Sequence, residues 1–152
     1  MRATAACAAW EEFPHGFTTG GHPVGCAISL EAIRIITQEG VLDNIRSVGD
    51  VFQAGLRNLA DHPMVGEARG LGLMGALEMV ADKRTKQSFD GGLRIGERIA
   101  KEARERGFII RPLGASIVLA PPFISTHAQI EELLAVLKEV LDVVYASVGR
   151  KG

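Results

Sequence analysis

The chain has 152 residues, 17 basic against 18 acidic, for a net charge of −1. Apolar residues make up 47% and charged residues 23%, the balance of one globular domain with a sizeable core. The lack of a basic excess excludes a nucleic-acid or anionic-membrane footprint, and no run approaches the roughly 20 apolar residues of a membrane helix.

Residues 1–13 read as a short helix or a frayed start, and they lack the basic and long apolar regions of a secretory signal. Cys7 and Cys26 are too few and too irregular for a disulfide framework or a zinc site; they fit free thiols in a reducing compartment, and the chain reads as cytoplasmic. His15 to Gly25 form a Gly/Thr-rich loop that runs into Pro23 at a helix N-terminus. Val24–Gln38 is helical and apolar on most of its circumference, so it expects cover on several sides. Gly40 ends it.

Val41–Ala60 is an amphipathic helix with Val41, Ile45, Val48, Phe52, Leu56 and Leu59 on one stripe, stopped by Asp61-His62-Pro63. Glu67–Leu71 and Leu73–Val80 read as strands around a glycine-rich connection at Gly70 and Gly72, followed by a polar loop over 81–92. Leu93–Arg106 returns to helical period and stops at Gly107. Phe108–Arg111 and Ser116–Ala120 are the next strands, with a turn at Pro112-Leu113-Gly114. Thr126 and Gln129 form a capping box that launches a helix with the stripe Ile130, Leu133, Leu134, Leu137, Val140, Leu141 and Val144, and a mobile tail is expected from Ser147. This order predicts an α+β domain: an antiparallel or mixed sheet of three or four strands with helices packed on one face.

In the loop, glycines allow close approach to a ligand, and threonine hydroxyls with free N–H groups donate to a phosphate; alone, such a loop is more often only a turn. Arg111 offers a fork for a carboxylate, although a strand-end arginine is commonly just a surface residue. His22 reads as structural, and His15, His62 and His127 have no ligand-spaced partners, so no metal site is expected. Arg69 is expected to pair with Glu67 or Glu78. Gly70-x-Gly72 lacks the third glycine of a dinucleotide loop, and Ser116 and Ser125 have no His/Asp arrangement for nucleophilic work.

Three blocks stand in one order and spacing: His15-Gly-Phe17-Thr18-Thr19-Gly20-Gly21-His22-Pro23, Val65-Gly-Glu-Ala-Arg69-Gly70-Leu-Gly72-Leu-Met, and Gly107-Phe-Ile-Ile-Arg111-Pro-Leu-Gly114-Ala-Ser-Ile-Val-Leu-Ala-Pro121-Pro122-Phe123. Together they resemble the C-terminal portion of class III, pyridoxal-phosphate-dependent aminotransferases, and the likeness extends from His15 to about Val144. The first block is similar to the family's phosphate-side loop His-Gly-Phe-Thr-Tyr-Ser-Gly-His-Pro, with Thr19 and Gly20 in place of the Tyr and Ser.

The resemblance implies the small C-terminal domain of fold type I enzymes over 41–148, preceded in 1–40 by a remnant of the large-domain edge and followed by a tail over 149–152. It implies that Thr18 donates its hydroxyl and N–H to the cofactor phosphate of a neighbouring subunit, in a pocket that Phe17 helps shape. It implies, for the ω-amino-acid:pyruvate branch, that Arg111 swings in to bind the keto-acid carboxylate and away for apolar amines. Ala115 stands where the family often has Asp, so the support behind this arginine is expected to differ.

In the family the Schiff-base lysine precedes the first block, whereas only 14 residues precede His15 here and none is a lysine. Lys83, Lys86, Lys101, Lys138 and Lys151 all read as surface positions, unlike a dry pocket where an amine's pKa can fall. The expectation is therefore a fragment or domain of an aminotransferase acting on an amine or ω-amino acid and an α-keto acid. It is expected to be inactive alone, not to hold pyridoxal phosphate by itself, and to act in a homo-oligomer or with a large domain or second subunit. The competing expectation is a non-catalytic α+β module that dimerises or binds a metabolite. An RNA-binding domain fits the element order, but not the neutral charge or the single Tyr and Trp.

Overall fold

The structure, a computed structural model, describes residues 16–148; the expected start over 1–13, His15 and the tail over 149–152 lie outside the described residues. The chain divides into two compact units, one ending at Glu39 and one beginning at Gly40.

The first unit carries the loop and helix α1 (Pro23–Gln38). Proline occupies the first turn, where its missing N–H has no intrahelical partner to lose. Arg34 joins Glu31 at 2.7 Å and Glu39 at 2.9 Å on the polar side of the helix. The rest of the helix is as apolar as the sequence suggests, yet none of its residues is buried: Ile28 is 64% and Leu30 70% exposed. Glu39 caps the helix with its N–H on the Ile35 carbonyl (3.0 Å), and the left-handed Gly40 (φ +71°) takes the chain onward.

The second unit begins with α2 (Val41–Leu59), whose buried face is the stripe Val41, Val48, Phe52, Leu56 and Leu59, with Ile45 partly covered. Two hairpins follow. The first joins β1 (Val65–Leu71) and β2 (Met74–Met79); the second joins β3 (Arg111–Leu113) and β4 (Ser116–Leu119). Each closes through two residues, Gly72-Leu73 and Gly114-Ala115, with the leading glycine at φ +56° and +61°. Glycine with positive φ at the first central position is what a type II′ hairpin turn requires.

The four strands form one antiparallel sheet in the order β1-β2-β4-β3. Leu77, Met79, Ile117 and Leu119 point to one face and share a core with Phe52 and Leu56 of α2, Ile99 of α3 (Ile95–Glu105), and Leu137 and Leu141 of α4 (His127–Val148). The other face carries Arg69 of β1, Ala76 and Glu78 of β2, Ser116 and Val118 of β4, and Arg111 and Leu113 of β3. This is the expected α+β architecture, with the sheet wholly antiparallel and helices on one face.

Besides β1 starting at Val65 rather than Glu67 and β2 spanning Met74–Met79 rather than Leu73–Val80, three local boundaries differ in ways that matter. Leu93 lies in a short 3-10 turn (Gly91–Leu93), and the left-handed Arg94 (φ +48°) breaks the chain before α3 starts at Ile95. The third strand runs over Arg111–Leu113 rather than Phe108–Arg111, so Pro112 and Leu113 belong to the strand and the turn is Gly114-Ala115. Proline is tolerated there because β3 is an edge strand. The last helix continues through Ser147 to Val148. Its expected capping box is present: the Thr126 N–H donates to Gln129 Oε1 (2.9 Å), and the Gln129 N–H to Thr126 Oγ1 (3.3 Å). Among the described residues no helix is long and apolar enough to cross a membrane.

Candidate functional site

The loop of the first unit is built from two overlapping turns. The Gly20 N–H donates to the Phe17 carbonyl (2.8 Å) and the His22 N–H to the Thr19 carbonyl (3.2 Å). Gly21 takes φ +77°, a conformation in which a side chain would be strained. The chain then enters α1, whose first-turn N–H groups at Val24 and Gly25 lack intrahelical acceptors by helix geometry. The side chain of His22 makes no cap on them.

Phe17 (75% exposed), Thr18 and Thr19 are all exposed around this turn, and residues 16–30 contain no carboxylate. Hydroxyl and N–H donors at the positive end of a helix dipole, with no competing acid, fit a phosphate group. Phe17 and Thr18 are thus neighbours in the loop of the first unit, whereas Arg111 belongs to the second.

Arg111 opens the three-residue edge strand β3 and stands opposite Val118 of β4, which in turn stands opposite Ala76 of β2. Its side chain lies on the sheet face opposite the core that α2, α3 and α4 cover, next to a half-buried apolar floor. It also borders a groove of about 720 Å³ lined by Phe108, Ile124, Gln129 and Leu133. Among the described residues Arg111 has no ion pair and no side-chain hydrogen bond. An exposed, unpaired guanidinium beside an apolar floor can take a carboxylate bidentately while apolar atoms rest on the floor.

Arg69 differs from Arg111 in being engaged. It faces both acids expected for it, Glu67 at 3.6 Å and Glu78 at 3.2 Å. Both Glu78 oxygens also accept from the Ser116 hydroxyl, at 2.9 and 2.8 Å. Sequence reading missed this link, because Glu78 and Ser116 are 38 residues apart and only the sheet register pairs them.

Several other polar side chains pair within the second unit. His62 Nδ1 accepts from the Met64 N–H (3.1 Å), and its Nε2 lies 3.4 Å from Asp142 Oδ1, an acidic partner invisible at sequence spacing. Burial holds this imidazole below the usual histidine value, against the upward pull of Asp142. His127 pairs with the Ser47 hydroxyl at 3.2 Å. Lys83, Lys86, Lys101 and Lys138 are all exposed: Lys83 donates to the Ala60 carbonyl and Lys138 pairs with Asp142 at 3.0 Å. Among the described residues no cluster of His, Cys, Asp and Glu could hold a metal ion.

A family model described as Aminotransferase class-III matches residues 1–141. The putrescine–pyruvate aminotransferase of Pseudomonas aeruginosa is 39% identical over 139 residues, which is 90% of this chain and 30% of that protein. An omega-aminotransferase structure from Paracoccus denitrificans superposes with a TM-score of 0.83 at 54% identity, covering 97% of this chain and 33% of that one. A PLP-bound aminotransferase mutant from Vibrio fluvialis gives a TM-score of 0.83 at 50% identity over 97% of this chain and 32% of its own. The chain therefore spans about a third of the length of these relatives.

Proposed function

The chain belongs to the class-III aminotransferases, and from that membership we propose that it is part of a pyridoxal-phosphate-dependent transaminase of the ω-amino-acid:pyruvate branch. The parent reaction moves an amino group from an amine or ω-amino acid to an α-keto acid. Pyridoxal phosphate, when bound, supplies the aldehyde that takes up the amino group and the ring that delocalises the electrons released beside it.

Thr18 holds the cofactor phosphate through its hydroxyl and backbone N–H, across a contact with a second subunit, and Phe17 closes the apolar side of that pocket. Arg111 holds the keto-acid carboxylate in its fork and orients the carbonyl for reaction. Val118 and Ala76 keep water from the apolar part of the substrate. The observation that carries this reading is the acid-free donor loop at the start of α1, displayed with its hydroxyls exposed.

None of the four described lysines lies in a dry pocket, and this reading takes the cofactor-linked amine from the large domain of the parent enzyme. In the same reading 1–40 is large-domain edge, 41–148 the small domain and 149–152 a tail; the enzyme is a cytoplasmic homo-oligomer, and the chain alone is inactive. The test is a chimera in which this chain replaces the matching third of the Paracoccus denitrificans enzyme. Transamination between an ω-amino acid and pyruvate is the expected result. A folded chimera that binds pyridoxal phosphate but transfers no amino group would contradict it.

A further inference from the structure

Arg111 sits on a short edge strand. β3 has three residues, is paired on one side only, and contains Pro112, which donates nothing to a ladder. The two-residue turn makes Leu113 and Ser116 the pair that closes it, so Ser116 stands at the turn end of this hairpin. Edge segments of this kind open locally at little cost. Bidentate recognition nevertheless requires the guanidinium to be placed within about half an ångström.

The structure supplies a fastening at that turn end. Glu78 stands opposite Ser116 at the end of the β2–β4 ladder, and both its oxygens accept from the Ser116 hydroxyl at 2.9 and 2.8 Å. Its carboxylate is held in turn by Arg69 Nη2 at 3.2 Å. One residue further, the Met79 N–H donates to the Ala115 carbonyl at 3.1 Å and ties down the turn itself. Arg69, Glu78 and Ser116 thus form a strap over β1, β2 and β4, on the face that Arg111 and Leu113 share.

We propose that Glu78, through Ser116, is a positioning residue for Arg111: it fixes the β3–β4 hairpin, so that the swinging side chain reaches a substrate carboxylate from a firmly held backbone. The proposal rests on the reading that Arg111 receives that carboxylate. Charge alone predicts the opposite of this role, since removing a nearby acid should strengthen the binding of an anion.

The test uses the 152-residue chain, with pyruvate as the probe and NMR of the Arg111 Nε–Hε signal and the hairpin amides as readout. Pyruvate is expected to shift the Arg111 signal. Glu78→Leu should weaken that response about fivefold and speed amide exchange of the β3–β4 hairpin about tenfold relative to the β1–β2 hairpin. Glu78→Gln keeps an acceptor for Ser116 and should bind pyruvate as well as the unmodified chain does. Ser116→Ala removes the hydroxyl with little steric change and should reproduce the effect of Glu78→Leu should that variant fail to fold.

Equal pyruvate affinity in the unmodified chain and the folded variants overturns the proposal and leaves the Arg111 reading standing. Tighter binding in Glu78→Leu overturns it in favour of a purely electrostatic effect. No response of Arg111 to pyruvate in the unmodified chain removes the Arg111 reading and the proposal with it.

Discussion

Arg111 and Val118 face each other across the outermost strand pair, so the guanidinium at that edge borders an apolar floor rather than an acid among the described residues. A lysine at 111 would keep the charge and lose the fork. In the chimera, Arg111→Lys should raise the pyruvate KM about tenfold or more, the loss of roughly 1.5–3 kcal/mol expected when a charge-assisted hydrogen bond is removed. The rate with saturating amine in the first half-reaction should stay the same. Steady-state and single-turnover kinetics separate the two effects.

His62 links acidity to stability. Its Nδ1 is occupied by the Met64 N–H, and burial lowers its pKa, so the folded chain binds the proton less readily than the unfolded one. Stability from this group is therefore present above about pH 6.5, the unfolded histidine value, and is lost as pH falls from there toward the lower folded value. Lys138 and Lys83 add to the lowering, while Asp142 opposes it. Urea denaturation between pH 5 and 7.5 should show stability rising with pH, and His62→Gln should flatten that slope.

Thr126 and Gln129 satisfy each other's backbone donors at the start of α4, the helix that supplies Leu137 and Leu141 to the core. Thr126→Ala should lower stability by about 0.5–2 kcal/mol. Chemical denaturation with an unchanged m-value is the check.

Helix α1 displays Val24, Ile28, Leu30 and Ile33, each at least 59% exposed. So much exposed apolar surface is unusual on a monomer. The isolated chain is expected to self-associate, with a sedimentation coefficient that rises with concentration. Ile28→Glu together with Leu30→Glu should reduce the association.

The helical periods were legible because α2 and α4 bury one stripe each, and Val48, Phe52 and Leu56 or Leu133, Leu137 and Leu141 announce that stripe at three- and four-residue steps. The capping box was legible because its partners are three residues apart. β3 was misplaced because its apolar run, Phe108-Ile109-Ile110, precedes the paired residues, and an edge strand of three residues leaves hardly any period to read. The breaking role of Arg94 could not be seen, since a left-handed arginine has no composition signal.

Of the proposed site, the loop around Thr18 and the arginine at 111 are local features that short motifs single out. The Glu78–Ser116 bond and the pairing of His62 with Asp142 exist only through the tertiary arrangement, and no spacing along the chain carries them.

The central claim is that Thr18 completes the phosphate end of a cofactor cavity. Equilibrium binding of pyridoxal phosphate to the chimera, with and without Thr18→Ala, tests it most directly. Loss of one hydroxyl donor to a phosphate should weaken the cofactor by about tenfold or more, the same 1.5–3 kcal/mol range for a hydrogen bond to a charged group, and leave the pyruvate KM at saturating cofactor unchanged. Unaltered cofactor affinity in a folded Thr18→Ala chimera would contradict the account.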